Sequence, residues 1–199
     1  MIMQKITAES FQRDVEKFQI TITNDLYVYR HMHVGDPATM NMSYQLTTFP
    51  GHLVFSGDMG TYVFRRTNDM FTFFRGKHIY LSYWAQKIVA ADKCCGYKEF
   101  SPAKAIQWIK DRLDEYEANS ATRELAKEID VYSGPEEFHR QLQDFDASPN
   151  PFTDAEYDDC TDWTGRYLWC CYAVVWGIHL YDQAKKPAEG PVLIPANAT

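Results

Sequence analysis

The feature that most constrains the fold is a hairpin pattern in the first third of the chain. Two apolar and aromatic runs, Leu53–Phe55 and Thr61–Phe64, flank the tetrapeptide Gly57-Asp58-Met59-Gly60. Glycine and aspartate readily adopt the backbone angles of tight turns between antiparallel strands. The pattern therefore predicts a β-hairpin in which Asp58 serves the turn.

Three further strands are expected before this hairpin. The segments Gln19–Thr23 and Leu26–Val34 are separated by Asn24-Asp25, which suits a two-residue turn. The third, Met40–Phe49, stops at Pro50-Gly51. Because side chains alternate along a strand, one side of the second strand carries Tyr27, Tyr29, His31 and His33, and the other carries Leu26, Val28, Arg30, Met32 and Val34.

Helical patterns follow the strands. A short first helix is expected from Thr7 or Ser10 to Phe18, and Thr67-Asn68-Asp69 offers an N-cap for another that ends at Phe74. The pair Ser101-Pro102 is a strong helix start. Further helices are expected over Ser82–Lys93, over Thr122–Val131, from Gly134-Pro135 onward, and from about Thr161 to Asp182. Apolar residues nearly surround the last of these, which predicts a central position in the core.

Strands followed by helices favour an α+β fold, in which helices cover one face of an antiparallel sheet of four to five strands. The 199 residues suit a single domain. We expect residues 1–185 to form it, with residues 1–66 mainly in strands and residues 67–185 mainly in helices. Residues 186–199 lack periodicity and are predicted to form a loose tail.

Composition indicates a soluble cytoplasmic protein. No run approaches the roughly 20 apolar residues of a membrane helix, and Met1–Lys5 does not resemble a secretory signal. The five cysteines occur as Cys94-Cys95, Cys160 and Cys170-Cys171, an arrangement unlike a secreted disulfide framework. We therefore expect reduced and mostly buried thiols.

Negative charge is concentrated in the second half of the chain. Residues 134–162 contain nine acidic residues against a single arginine, Arg140, which opposes direct binding to DNA. An acidic surface instead attracts basic partners. The candidate partner-binding residues are Glu136, Glu137, Asp154, Glu156, Asp158 and Asp159. A basic cluster beside aromatic residues is the alternative interface, formed by Arg65, Arg66, Arg75 and Lys77.

The sequence has no phosphate loop, dinucleotide-binding turn, zinc-protease motif or serine-hydrolase motif. This favours a function other than catalysis. If the protein is an enzyme, the candidate catalytic residues are His31, His33, His52 and Asp58, all on the predicted sheet. The cysteine spacing does not suit zinc, so neither a metal nor a cofactor is expected.

Three blocks of sequence stand out: Ser56–Phe64, Asp69–Arg75 and Trp169–Ile178. They resemble an uncharacterised family of accessory proteins encoded by tailed phages and prophages, and the resemblance extends over about residues 9–183. No activity is assigned to that family, so it implies a setting only: a phage protein acting in the cytoplasm of a bacterial host.

These observations give three functional hypotheses. The first is an interaction protein that binds and modulates a host protein, such as an anti-defence inhibitor of the anti-CRISPR kind that uses its acidic surface. The second is an enzyme that acts on nucleic acid or a nucleotide through a His/Asp site. The third is a homo-oligomeric regulatory protein, for which a homodimer is the simplest form.

Overall fold

A computed structural model describes residues 6–76, 78–93, 96–153 and 160–186. Its contacts divide the chain into two compact units. Residues 1–95 and 165–199 form the sheet unit, and residues 96–164 form the helical unit, which is inserted into it in sequence. Whether both unfold together as the predicted single domain stays a prediction. No helix among the described residues is long and apolar enough to span a membrane.

The sheet unit contains a six-stranded antiparallel sheet whose strands follow one another in chain order. The strands are β1 (Gln19–Leu26), β2 (Tyr29–Gly35), β3 (Tyr44–Phe49), β4 (His52–Gly57), β5 (Gly60–Arg65) and β6 (Ile88–Ala91). The α+β class is confirmed, with one strand more than the largest number predicted. The hairpin is also confirmed, because β4 pairs with β5 up to Gly57 opposite Gly60. Gly60 has a φ of +102°, which an L side chain rarely adopts.

The predicted turn between the first two strands was wrong. Asn24 and Asp25 lie within β1, and the chain turns at Tyr27 and Val28 instead. Strand β1 has one more residue than β2 at the register shift between Ile22 and Asn24. As a result, Asp25 lies opposite Arg30 on the inner face of the sheet. The local turn preference of Asn-Asp is thus overridden by long-range contacts of Asp25.

The helix predicted over Ser82–Lys93 was also wrong. A short helix, α3 (Leu81–Ala85), is followed by strand β6, which pairs with β5. The edge of β5 needs partners for its backbone groups, and Ile88-Val89 suits a strand. Backbone hydrogen bonds from Arg65 to Lys87 and from Asp92 to Thr61 extend the pairing on both sides.

Helices of the sheet unit cover one face of the sheet. Besides α3 they are α1 (Ala8–Asp14), α2 (Met70–Phe74) and α7 (Gly165–Ala184), with α1 ending earlier than the expected Phe18. Thr7 caps α1 and Asp69 caps α2. The last helix begins at Gly165 rather than Thr161, because Thr161–Trp163 forms a strand. Nothing is described of residues 187–199, which make up nearly all of the predicted tail.

Helix α7 is the centre of the sheet unit, as predicted. Trp169 is fully buried, and its ring packs edge-on against Tyr44 at 5.6 Å between centroids. A side chain at Gly177 would meet Leu46 Cδ1 at 2.7 Å, so glycine allows the helix to approach the sheet closely. The Tyr44 hydroxyl donates to the Ala173 carbonyl at 2.9 Å, which satisfies a polar group in this buried layer.

The helical unit has a core of its own. Strands β7 (Lys98–Phe100) and β8 (Thr161–Trp163) pair, and helices α4 (Pro102–Glu115), α5 (Ser120–Leu125) and α6 (Pro135–Gln143) follow β7. The helix predicted over Thr122–Val131 starts earlier and is shorter, because α5 continues only into a 3-10 turn, Ala126–Glu128. Buried residues from α4, the 3-10 turn and α6, among them Ile109, Ala126 and Phe138, form one cluster.

Candidate functional site

Two of the candidate catalytic histidines lie on the outer face of the sheet, opposite the face that α7 covers. His31 and His33 are half-buried on β2. The Nδ1 atom of His31 lies 2.7 Å from the Thr47 hydroxyl oxygen on β3. His33 lies opposite Thr21 and Gln45. These neighbours offer hydrogen bonds but no carboxylate that would orient a general base.

His52 and Asp58 occupy opposite ends of β4. The His52 ring stacks on Phe49 at 4.6 Å, and its Nδ1 lies 3.0 Å from the Pro50 carbonyl oxygen. Asp58 accepts a hydrogen bond from the backbone N–H of Met42 at 2.8 Å. The carboxylate thus ties the hairpin to the loop before β3, a structural role close to the one predicted for it.

The four candidate catalytic residues do not share a cleft. His52 and Asp58 are separated by the length of β4, about 20 Å in an extended strand. Within the described part of the chain, no three His, Cys, Asp or Glu side chains are placed to hold a metal ion. The enzyme hypothesis therefore gains no common site from this geometry.

A buried ionic cluster lies on the inner face, and sequence reasoning missed it. Arg30 on β2 is only 7% exposed. Its guanidinium makes a two-pronged interaction with the Asp69 carboxylate, at 2.9 and 3.1 Å. It also lies over the Phe71 ring, 4.6 Å from the centroid. The signal in the sequence was an arginine at an inward position of an otherwise apolar strand face.

The carboxylates of this cluster are held in their ionised form. Burial alone raises the pKa of Asp69, but hydrogen bonds and charge from Arg30 outweigh it, so the net pKa is lowered. A hydrogen bond from Lys185 is the main cause of the lowered pKa of Asp25. The Tyr181 hydroxyl donates to Asp25 at 2.8 Å. Asp69 caps α2 and Tyr181 lies in α7, so their bonds to Arg30 and Asp25 hold both helices against the sheet.

An exposed apolar end of the sheet was missed as well, because the first turn was misplaced. We call it the aromatic end; it consists of Leu26, Tyr27, Tyr29 and Phe49. Leu26 and Tyr27 are 70% and 78% exposed. Tyr27 has a φ of +59°, an uncommon and strained conformation for a bulky residue. Exposed apolar patches mark interaction sites more often than scattered single side chains do.

The acidic candidates fall in the helical unit, of which only part is described. Glu136 and Glu137 occupy the first turn of α6, where a negative charge interacts favourably with the helix dipole. Glu137 pairs with Arg140 at 2.6 Å, and this hydrogen bond is the main cause of its lowered pKa. Glu136 is exposed and makes no ion pair with a described residue. Asp154, Glu156, Asp158 and Asp159 lie outside the described residues.

The basic candidates are only partly free for a ligand. Arg75 makes a two-pronged ion pair with Asp182 on α7, at 2.7 and 2.9 Å. Arg65 and Arg66 are exposed at the end of β5, and Lys77 lies outside the described residues. Arg75 therefore already has an internal partner and is not a free cation for a ligand.

The two units differ strongly in charge. The helical unit contains 7 Lys+Arg and 17 Asp+Glu, a formal net charge of −10, whereas the sheet unit carries +3. Exposed acids without a cationic partner in the described structure include Glu117, Glu128, Glu136 and Asp146. The helical unit is therefore the strongly acidic surface of the protein. The sequence matches no family model and no curated protein, and no solved structure matches the fold.

Proposed function

We propose that this protein is an interaction protein whose acidic helical unit binds a basic surface on a partner protein. The observation that carries the proposal is the separation of charge, with −10 on the helical unit and +3 on the sheet unit. Such a field speeds the encounter with a basic partner and repels nucleic acid.

The partner that fits best is a host protein with a positively charged groove for nucleic acid. An acidic helical unit can occupy such a groove in place of the phosphate backbone, because both carry a large negative charge. The resemblance to phage accessory proteins supplies only the setting, a bacterial host, and the anti-defence role is part of this proposal. Direct binding of the protein to DNA is not expected.

The experiment is co-purification from the bacterial host, followed by mass spectrometry. The test variant carries Glu128→Lys and Glu136→Lys, which reverse two exposed acids of the helical unit. The matched control carries Glu9→Lys and Glu16→Lys, two exposed acids of the sheet unit, and changes the net charge equally. We expect capture of the partner to fall for the first variant alone and to weaken as salt rises.

Competition separates a nucleic-acid mimic from other acidic binding. Excess duplex DNA should displace the protein from the captured partner if both use the same groove. Capture that survives the helical-unit reversals and is insensitive to salt would refute the proposal. Recovery of no specific partner from infected or uninfected cells would count equally against it.

The aromatic end favours a second candidate, self-association. Contiguous exposed apolar side chains commonly mark protein interfaces, and Leu26 and Tyr27 are among the most exposed apolar residues described. Light scattering tests this directly. If the protein is a dimer that Tyr27→Lys converts to a monomer, without loss of partner capture, the aromatic end is a homo-oligomer interface and the acidic unit a separate one.

A further inference from the structure

The helical unit contains an open groove of about 470 Å³. One wall is a single face of α4, where four residues follow the helical spacing i, i+3, i+4 and i+7: Ile106, Ile109, Lys110 and Leu113. The opposite wall comes from the 3-10 turn and the segment after it: Ala126, Ile129, Val131 and Tyr132. Its volume is in the range of sites for small organic ligands.

The groove stays open because its second wall is short. Helix α5 has six residues and passes into the 3-10 turn, after which Ile129 is extended. The apolar stripe of α4 is therefore covered only in part. The floor of the groove belongs to the core, since Ile109 and Leu113 are buried, whereas Ile106 remains half-buried at the edge.

Positive side chains rim the groove, although the unit as a whole is strongly acidic. Arg123 is held by Asp114 at 2.7 Å and by two backbone carbonyls, and Lys127 pairs with Glu124 at 2.6 Å. Lys110 makes no hydrogen bond or ion pair with any residue that the structure describes. Its ammonium group is thus available at the edge of an apolar groove.

We propose that this groove binds a medium-length acyl carboxylate, with its chain along α4 and its carboxylate at Lys110. Side chains on a helix lean toward its N-terminus, so the Lys110 ammonium can lie level with Ile106, at one end of the apolar stripe. The stripe from Ile106 to Leu113 is about 10 Å long, which suits an extended octanoyl or decanoyl chain. An ammonium and a carboxylate form a charge-assisted hydrogen bond, so the rim selects an anionic head over a neutral one. The exposed acids that test the proposed function, Glu128 and Glu136, do not line the groove, although Glu128 ends the 3-10 turn of its second wall.

The test is a titration of the full-length protein with decanoate below its micelle concentration. Isoleucine methyl groups labelled with carbon-13 report the site by NMR. We expect shifts for Ile106, Ile109 and Ile129, and none for Ile20 or Ile178 in the sheet unit. The neutral analogue 1-decanol should bind about tenfold more weakly, because it lacks the charge that Lys110 contacts.

A pair of matched variants tests the role of the ammonium group. Lys110→Gln should raise the Kd for decanoate about tenfold, whereas Lys98→Gln, which removes a charge on β7 outside the groove, should leave it unchanged. Unchanged thermal unfolding of both variants establishes that they fold. Absence of shifts at the groove methyls would overturn the proposal. So would equal binding of 1-decanol, no effect of Lys110→Gln, or binding of an acidic helical peptide there without binding of decanoate.

Discussion

The buried pair of Arg30 and Asp69 makes a quantitative prediction about stability. Asp69→Asn keeps a residue that caps α2 well but removes the negative charge beside Arg30. Arg30, which is 7% exposed, then has Asp25 at 3.9 Å as its nearest acid. An uncompensated buried charge is costly, so the variant should unfold more easily.

The expected loss is about 3 kcal/mol, at the low end of values for broken buried pairs. The low end applies because the Asp69 side chain is 28% exposed and Asp25 remains nearby. In a protein of this size, the melting temperature should fall by about 6–12 °C. Urea unfolding followed by tryptophan fluorescence and circular dichroism measures the free energy of unfolding directly.

Two comparisons isolate the charge. The double variant Arg30→Met/Asp69→Asn should lose less than the two single variants added together, by about 2 kcal/mol, since no buried charge is left alone. Asp182→Asn breaks the Arg75 pair, whose side chains are 39% and 41% exposed, and should cost less than about 1 kcal/mol. Equal losses for Asp69→Asn and Asp182→Asn, or strictly additive single variants, would refute the idea that Arg30 is isolated from water.

Further outcomes concern core packing, acid stability and thiol chemistry. Trp169→Ala should destabilise the sheet unit by about 3–5 kcal/mol in urea unfolding, because the side chain is fully buried. Trp176→Ala, at a half-buried position, should lower the free energy of unfolding clearly less. Because the folded-state pKa of Asp69 is lowered, the stability it provides is present above its unfolded pKa of about 3.9 and is lost as pH falls through the folded pKa. The free energy of unfolding of the wild type should therefore fall more steeply below about pH 4 than that of Asp69→Asn. Identical pH profiles for the two proteins would contradict this. Burial raises the pKa of Cys170 and of Cys171, the latter to about 12, so both should react slowly with a thiol reagent in native buffer and rapidly after denaturation.

The local sequence was sufficient wherever a short-range preference and the fold agree. Gly57 to Gly60 predicted the β4–β5 hairpin, Thr67-Asn68-Asp69 a cap for α2, and Ser101-Pro102 the start of α4. Each signal depends on backbone angles or on one nearby hydrogen bond. Such preferences act within a few residues and need no knowledge of the rest of the chain.

Prediction failed where distant residues compete for the same segment. Asn24-Asp25 has the composition of a turn, yet Tyr181 and Arg30 hold Asp25 inside the sheet, and the chain turns two residues later. Residues 88–91 continue a helical pattern, yet the unpaired edge of β5 makes them a strand. A tertiary partner supplies more free energy than the local preference that it overrides.

The acidity, the apolar terminal helix and the α+β class were determined by the sequence, because they follow from composition and from the order of patterns along the chain. Tertiary structure alone decided that the acids belong to an inserted unit with its own core, that the four candidate catalytic residues stay apart, and that Arg30 is enclosed with Asp69. Those facts depend on which residues from distant parts of the chain become neighbours. Charge and hydrophobicity are properties of residues, whereas a site is a property of the distances between them.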